Sequence, residues 1–105
     1  MDEQEKIVIL YDYYSELFND KQKKYFEEYY FDNLSLSEIS ENEGLSRNAI
    51  HKSVKSVVNK LYKYEDKLRL YEKDNKIKEI INKISDMDIK KELEGLLWMK
   101  NYLLI

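Results

Sequence analysis

Five cationic side chains, Arg47, Lys52, Lys55, Lys60 and Lys63, fall within residues 45–64, a stretch that holds no Asp or Glu. Cations repeated at three- and five-residue spacing suit a polyanion, because no carboxylate inside the segment neutralises them. Asn48 and His51 stand among them and add hydrogen-bonding heads able to reach base edges. Other reactive types are scarce. Cysteine is absent, so there is no thiolate nucleophile, no thiolate zinc site and no disulfide framework. His51 is the sole histidine, and without a paired nucleophile or fellow ligands it reads as a surface polar residue. With no phosphate loop either, the residues predict a non-enzyme that uses no metal and no cofactor.

The elements that must carry these groups are helices. Proline is absent and glycine occurs twice, which leaves few breakers, and no alternating Val/Ile/Thr run of strand type appears. The pattern predicts an all-α fold. Ile7, Leu10, Tyr11, Tyr14, Leu17 and Phe18 mark a helix over about residues 5–18. Asn19 with Gln22 forms a capping-box pattern opening a second helix, 20–31, whose stripe is Tyr25, Phe26, Tyr29 and Tyr30. Ser35 with Glu38 opens a third, 36–43, which Gly44 ends in a left-handed turn, with Leu45 as its apolar contact. Ser46 caps a fourth helix with the stripe Ile50, Val54, Val57 and Leu61, Ala49 and Val58 beside it, running to Leu68 or Tyr71, about seven turns. Asp74-Asn75 reads as a break. A fifth helix carries Ile77, Ile80, Ile81 and Ile84, and Ser85 with Asp88 restarts a last one bearing Ile89, Leu93, Leu96 and Leu97.

A short capped helix, a glycine turn, a second cap and a second amphipathic helix make up the grammar of a helix-turn-helix. Ile39, Leu45, Ile50 and Val54 would form its seam, with small Ser40 at the close approach. The opposite face of the second helix then presents Ser46, Arg47, Asn48, His51, Lys52 and Lys55, the candidate nucleic-acid contacts. Arg47 suits guanine or a phosphate and could equally bond back to Glu38. Local charge supports this face. Residues 1–44 hold 12 acidic and 4 basic side chains, residues 65–105 nine of each, and only 45–64 is purely basic, so the overall charge of −3 hides a cationic segment.

Asp20-Lys21-Gln22-Lys23, Tyr30, Leu34-Ser35-Leu36-Ser37-Glu38-Ile39, Leu45-Ser46-Arg47-Asn48-Ala49-Ile50 and Tyr64-Glu65-Asp66-Lys67-Leu68 together resemble the YlxM family. These are small bacterial helix-turn-helix proteins similar to sigma-factor region 4, with genes typically beside that of the signal-recognition-particle GTPase. The resemblance covers about residues 5–72, and its most specific piece is the Ser-Leu-x-Glu-Ile and Leu-Ser-Arg-x-Ala-Ile pair. It implies either a DNA-binding regulator of transcription or an accessory that contacts signal-recognition-particle RNA or its GTPase. Ser40 stands where the family usually has Ala, and Glu43 where it has an apolar residue. His51, Lys52 and Ser56 replace Tyr, Asp and Arg, so base specificity does not carry over. A third reading is an interaction domain whose motif has lost nucleic-acid binding.

The expected organisation is a helix-turn-helix domain over 1–72 and a helical extension over 73–105. The tail, Leu-Leu-Trp-Met-Lys-Asn-Tyr-Leu-Leu-Ile, is too short to span a bilayer, and the acidic start carries no signal-peptide pattern, so a cytoplasmic protein without membrane contact is expected. Trp98 and the terminal Leu-Leu-Ile either fold back on the first helix or form a homodimer interface, the latter suiting paired DNA half-sites.

Overall fold

The computed structural model describes residues 1–97, in two compact units that divide after Tyr64. All regular structure among the described residues is helical: α1 (Glu3–Tyr14), a 3₁₀ turn (Ser15–Leu17), α2 (Asp20–Tyr30), α3 (Leu36–Glu43), α4 (Arg47–Leu68), α5 (Leu70–Ile81) and α6 (Met87–Glu94). None of these helices is long and apolar enough to cross a membrane.

In the first unit α1 starts two residues before the expected point, because Asp2 caps it by accepting the Glu5 N–H at 2.8 Å. It also ends four residues early. Asn19 caps α2 with extended backbone, so α1 tightens through the 3₁₀ turn and leaves helical geometry at Phe18. The Asn19–Gln22 capping box forms in both directions, at 2.8 and 3.0 Å. Helical spacing places Leu10, Tyr11, Tyr14 and Phe26 inside, and Tyr13, outside the expected stripe, is buried as well. The Phe26 ring lies between Tyr11 and Tyr30, with centroids 4.1 and 4.5 Å away. The Tyr11 hydroxyl donates to Glu27 Oε2 at 2.6 Å, and burial together with that carboxylate pushes its pKa well above the ordinary phenol value. Leu17 and Tyr29, expected in the stripes, are exposed.

The C-terminal part of α4 within this unit packs through fully buried Val57 and Leu61, and the Tyr64 ring reaches Tyr14 and Phe18 at 6.0 and 5.8 Å. Lys24 Nζ meets Glu43 Oε1 at 2.9 Å and ties α2 to α3. That contact explains why a carboxylate is accommodated at the last residue of α3. Lys24 holds the Glu43 pKa below the usual range, while desolvation and then Glu43 itself raise that of Glu28.

The break expected at Asp74-Asn75 lies elsewhere. The chain leaves α4 at Arg69, in left-handed conformation with φ 55°, and Asp74 is a buried residue inside α5. Glu65 takes the capping role, its two oxygens accepting the Tyr71 and Glu72 N–H groups at 3.1 Å each, and Arg69 Nη1 donates to Glu72 Oε2 at 2.7 Å. Asp74 and Asn75 therefore continue a helix whose start is already capped. The last helix is capped by Asp86 instead of Ser85, with Asp86 Oδ1 accepting from Asp88 and Ile89. Of the apolar positions expected on α5 and α6, Ile81 and Leu97 are buried, whereas Ile77, Ile80, Ile89 and Leu96 are exposed. Trp98 and the rest of the tail lie outside the described residues.

Candidate nucleic-acid interface

The site is built by two helices and the turn between them. α3 begins at a reciprocal capping box, Ser35 Oγ accepting the Glu38 N–H and Glu38 Oε1 accepting the Ser35 N–H, both at 3.0 Å. The donated backbone N–H holds the Glu38 carboxyl below its usual pKa and leaves it committed to Ser35, and Arg47 makes no bond to it. Gly44 closes α3 at φ 68° and ψ 28°, and the Leu45 N–H donates to Ser40 O at 3.1 Å, satisfying a terminal carbonyl. Ser46 Oγ then accepts the Ala49 N–H at 3.0 Å and opens α4. Three residues, 44–46, separate the two helices.

Ile39, Ile50 and Val54 form the seam, with Tyr25 of α2 closing it and Tyr30, Leu34 and Leu36 packed around the edge. Leu45 does not take part. It stands 44% exposed. Tyr25 supplies the apolar volume expected of Leu45, a contact across 14 or more residues of sequence that local periodicity does not carry.

Arg47, Asn48, His51, Lys52 and Lys55 are all exposed. They do not share one surface. At about 100° per residue, Asn48, Lys52 and Lys55 fall on the arc facing away from Ile50, Val54, Val57 and Leu61; His51 sits at its edge and Arg47 on the flank of the seam, at the first turn. Lys52 and Lys55 line a shallow groove of about 410 Å³ with Ser56, Asn59, Lys60 and Lys63. His51 and Lys55 border a larger depression, about 660 Å³, together with Tyr29, Tyr30, Leu34 and Leu36 and the acidic residues Glu3 and Glu38. Lys55 is thus common to both. Lys60 and Lys63 belong to the acid-free segment but, with Ser56 and Asn59, lie beyond the six residues expected to make contact. Their continuation of the Lys52–Lys55 spacing by three and four residues was the available signal.

Lys23, Lys24, Arg69 and Lys76 pair with Glu16, Glu43 and Glu72, whereas Arg47, Lys52, Lys55, Lys60 and Lys63 form no ion pair among the described residues. What sets these five apart from the other unpaired lysines is the lack of any Asp or Glu within residues 45–64.

Two capped helices joined at a left-handed glycine around a shared apolar seam define a helix-turn-helix protein. Residues 1–97 match the family described as "Putative helix-turn-helix protein, YlxM / p13 like", UPF0122, and the chain belongs to that family. It is 42% identical to a UPF0122 protein of Fusobacterium nucleatum, over 92% of this chain and 98% of the relative. It is also 42% identical to one from Malacoplasma penetrans, over 84% and 82%, and 40% identical to the UPF0122 protein YlxM of Bacillus subtilis, over 74% and 71%.

Proposed function

We propose that this protein is a non-catalytic DNA-binding regulator in which α4 enters the major groove of duplex DNA. The observation that carries this reading is the unpaired cationic face of α4, lying on the second helix of a helix-turn-helix, where such motifs present their groove-facing side chains. Lys52 and Lys55 neutralise phosphates, while Asn48 and His51 meet base edges and Arg47, at the first turn, takes guanine or a flanking phosphate. Exposed Ile80, Met87, Ile89 and Leu96 in the second unit favour a homodimer that would pair two such helices on half-sites, which sedimentation of the free protein measures.

The test is a side-by-side binding titration against duplex DNA, signal-recognition-particle RNA and the particle's GTPase at matched salt. Duplex DNA is expected to bind most tightly, with affinity falling steeply as salt rises. Lys52→Glu and Lys55→Glu should each weaken it by about tenfold or more at low salt, since each removes one phosphate contact and adds a repulsion. Binding to DNA that ignores both substitutions refutes the reading. Tighter binding to the RNA or the GTPase assigns the protein to the accessory role instead, and absence of binding to all three leaves only an interaction domain.

A further inference from the structure

We propose that Lys60 and Lys63 form a phosphate clamp that extends the DNA-facing surface of α4 by two turns beyond its base-reading end. This inference rests on the DNA-binding reading above and adds a division of labour within the same helix. The groove that contains Lys52 and Lys55 is lined only by Lys52, Lys55, Ser56, Asn59, Lys60 and Lys63, so every bordering side chain is a cation, a hydroxyl or an amide. At about 100° per residue, these six positions lie within an arc of roughly 140°, directly opposite the buried stripe of Ile50, Val54, Val57 and Leu61. They form one continuous polar face without a carboxylate from Lys52 to Lys63, which exposed Asp66, one turn further on, ends.

The helix is also stiff where the clamp sits. Leu61 is fully buried, and the Tyr64 ring packs against Tyr14 and Phe18 at 6.0 and 5.8 Å, so the backbone carrying Lys60 and Lys63 is fixed from both sides in sequence. Lysines on a fixed backbone lose less freedom on binding a phosphate than lysines on a frayed helix end. From Lys52 to Lys60 and Lys63 the helix rises about 12 and about 16 Å. The major groove of B-form DNA is about 12 Å wide. A helix whose N-terminal turns reach the groove floor therefore brings Lys60 and Lys63 to the sugar–phosphate strand at the groove edge. Phosphate contacts there fix register and orientation without reading sequence. The deep, narrow major groove of A-form RNA does not admit such a helix face.

The experiment is fluorescence anisotropy of the full chain with a random-sequence DNA duplex, from about 50 to about 200 mM salt. The Lys60→Gln/Lys63→Gln variant is compared with the wild type and with Lys73→Gln/Lys83→Gln, which removes the same charge from exposed positions on the second unit. Two lost phosphate contacts should reduce the slope of log affinity against log salt by about 1.8. The gap between wild type and variant should then shrink about twelvefold across that salt range, while the control keeps the wild-type slope. The loss should be equal for different duplex sequences. A wild-type slope in the Lys60/Lys63 variant, with wild-type protein binding normally, overturns the clamp and leaves the DNA reading standing. Failure of the wild type itself to bind overturns both. Equal affinity for an RNA duplex of the same sequence overturns the assignment to B-form DNA. All four lysines are exposed, so far-ultraviolet circular dichroism should be unchanged in each variant.

Discussion

Gly44→Ala measures how much of the helix-turn-helix depends on one backbone conformation. The residue sits at φ 68°, where an L side chain costs about 1–2 kcal/mol. A Cβ built there meets nothing within 4 Å, so no steric penalty adds to that torsional one. Alanine also restricts the unfolded chain, which returns about 0.4–1 kcal/mol. The net loss should be about 1 kcal/mol. For a domain of this size that corresponds to a drop in Tm of roughly 4–8 °C. Urea unfolding of the full chain, followed by circular dichroism at 222 nm, reads the difference directly. Gly44→Asn should lose less, since asparagine tolerates the left-handed region. A Gly44→Ala midpoint indistinguishable from wild type would mean the turn needs no left-handed residue. A loss above about 3 kcal/mol would mean the turn is crowded, which the open space around it denies. Either result refutes the reasoning.

Two further outcomes follow from the same motif. Ile39→Ala should cost about 2–5 kcal/mol because it empties a fully buried seam position, whereas Leu45→Ala at its exposed site should stay within about 0.5 kcal/mol; comparing their urea midpoints checks this. The α3 capping box should be pH-sensitive. Glu38 has a lowered pKa in the fold, so its stabilisation is present above its unfolded pKa, about 4.3, and is lost as pH falls through the lower folded value. Thermal melts of wild type and Glu38→Gln should therefore differ at pH 7 and converge as pH drops below about 4, and a gap that persists at low pH would show that charge is not what the cap contributes.

Helix identity, the two capping boxes, the Gly44 turn and the Ser46 cap were legible in the amino-acid sequence, because each rests on contacts within about four residues: a hydroxyl or carboxylate accepting an N–H three positions on, or a glycine where φ turns positive. The acid-free segment 45–64 was legible for the same reason, being a property of adjacent residues. What local pattern could not carry was decided by packing between distant residues. Tyr25, not Leu45, completes the seam, because α2 folds across it. Glu65 reaches forward six and seven residues to cap α5, which moves the helix break from Asp74 to Arg69 and buries Asp74. The candidate surface itself shifted for a related reason. Sequence showed which residues are cationic, but pairing is a three-dimensional fact: among the described residues Lys23, Lys24, Arg69 and Lys76 find carboxylates, whereas the lysines of α4 from Lys52 to Lys63, like Lys21, Lys67 and Lys73 elsewhere, do not. Charge is written in the chain; whether it remains available to a ligand depends on which acids the fold brings within reach.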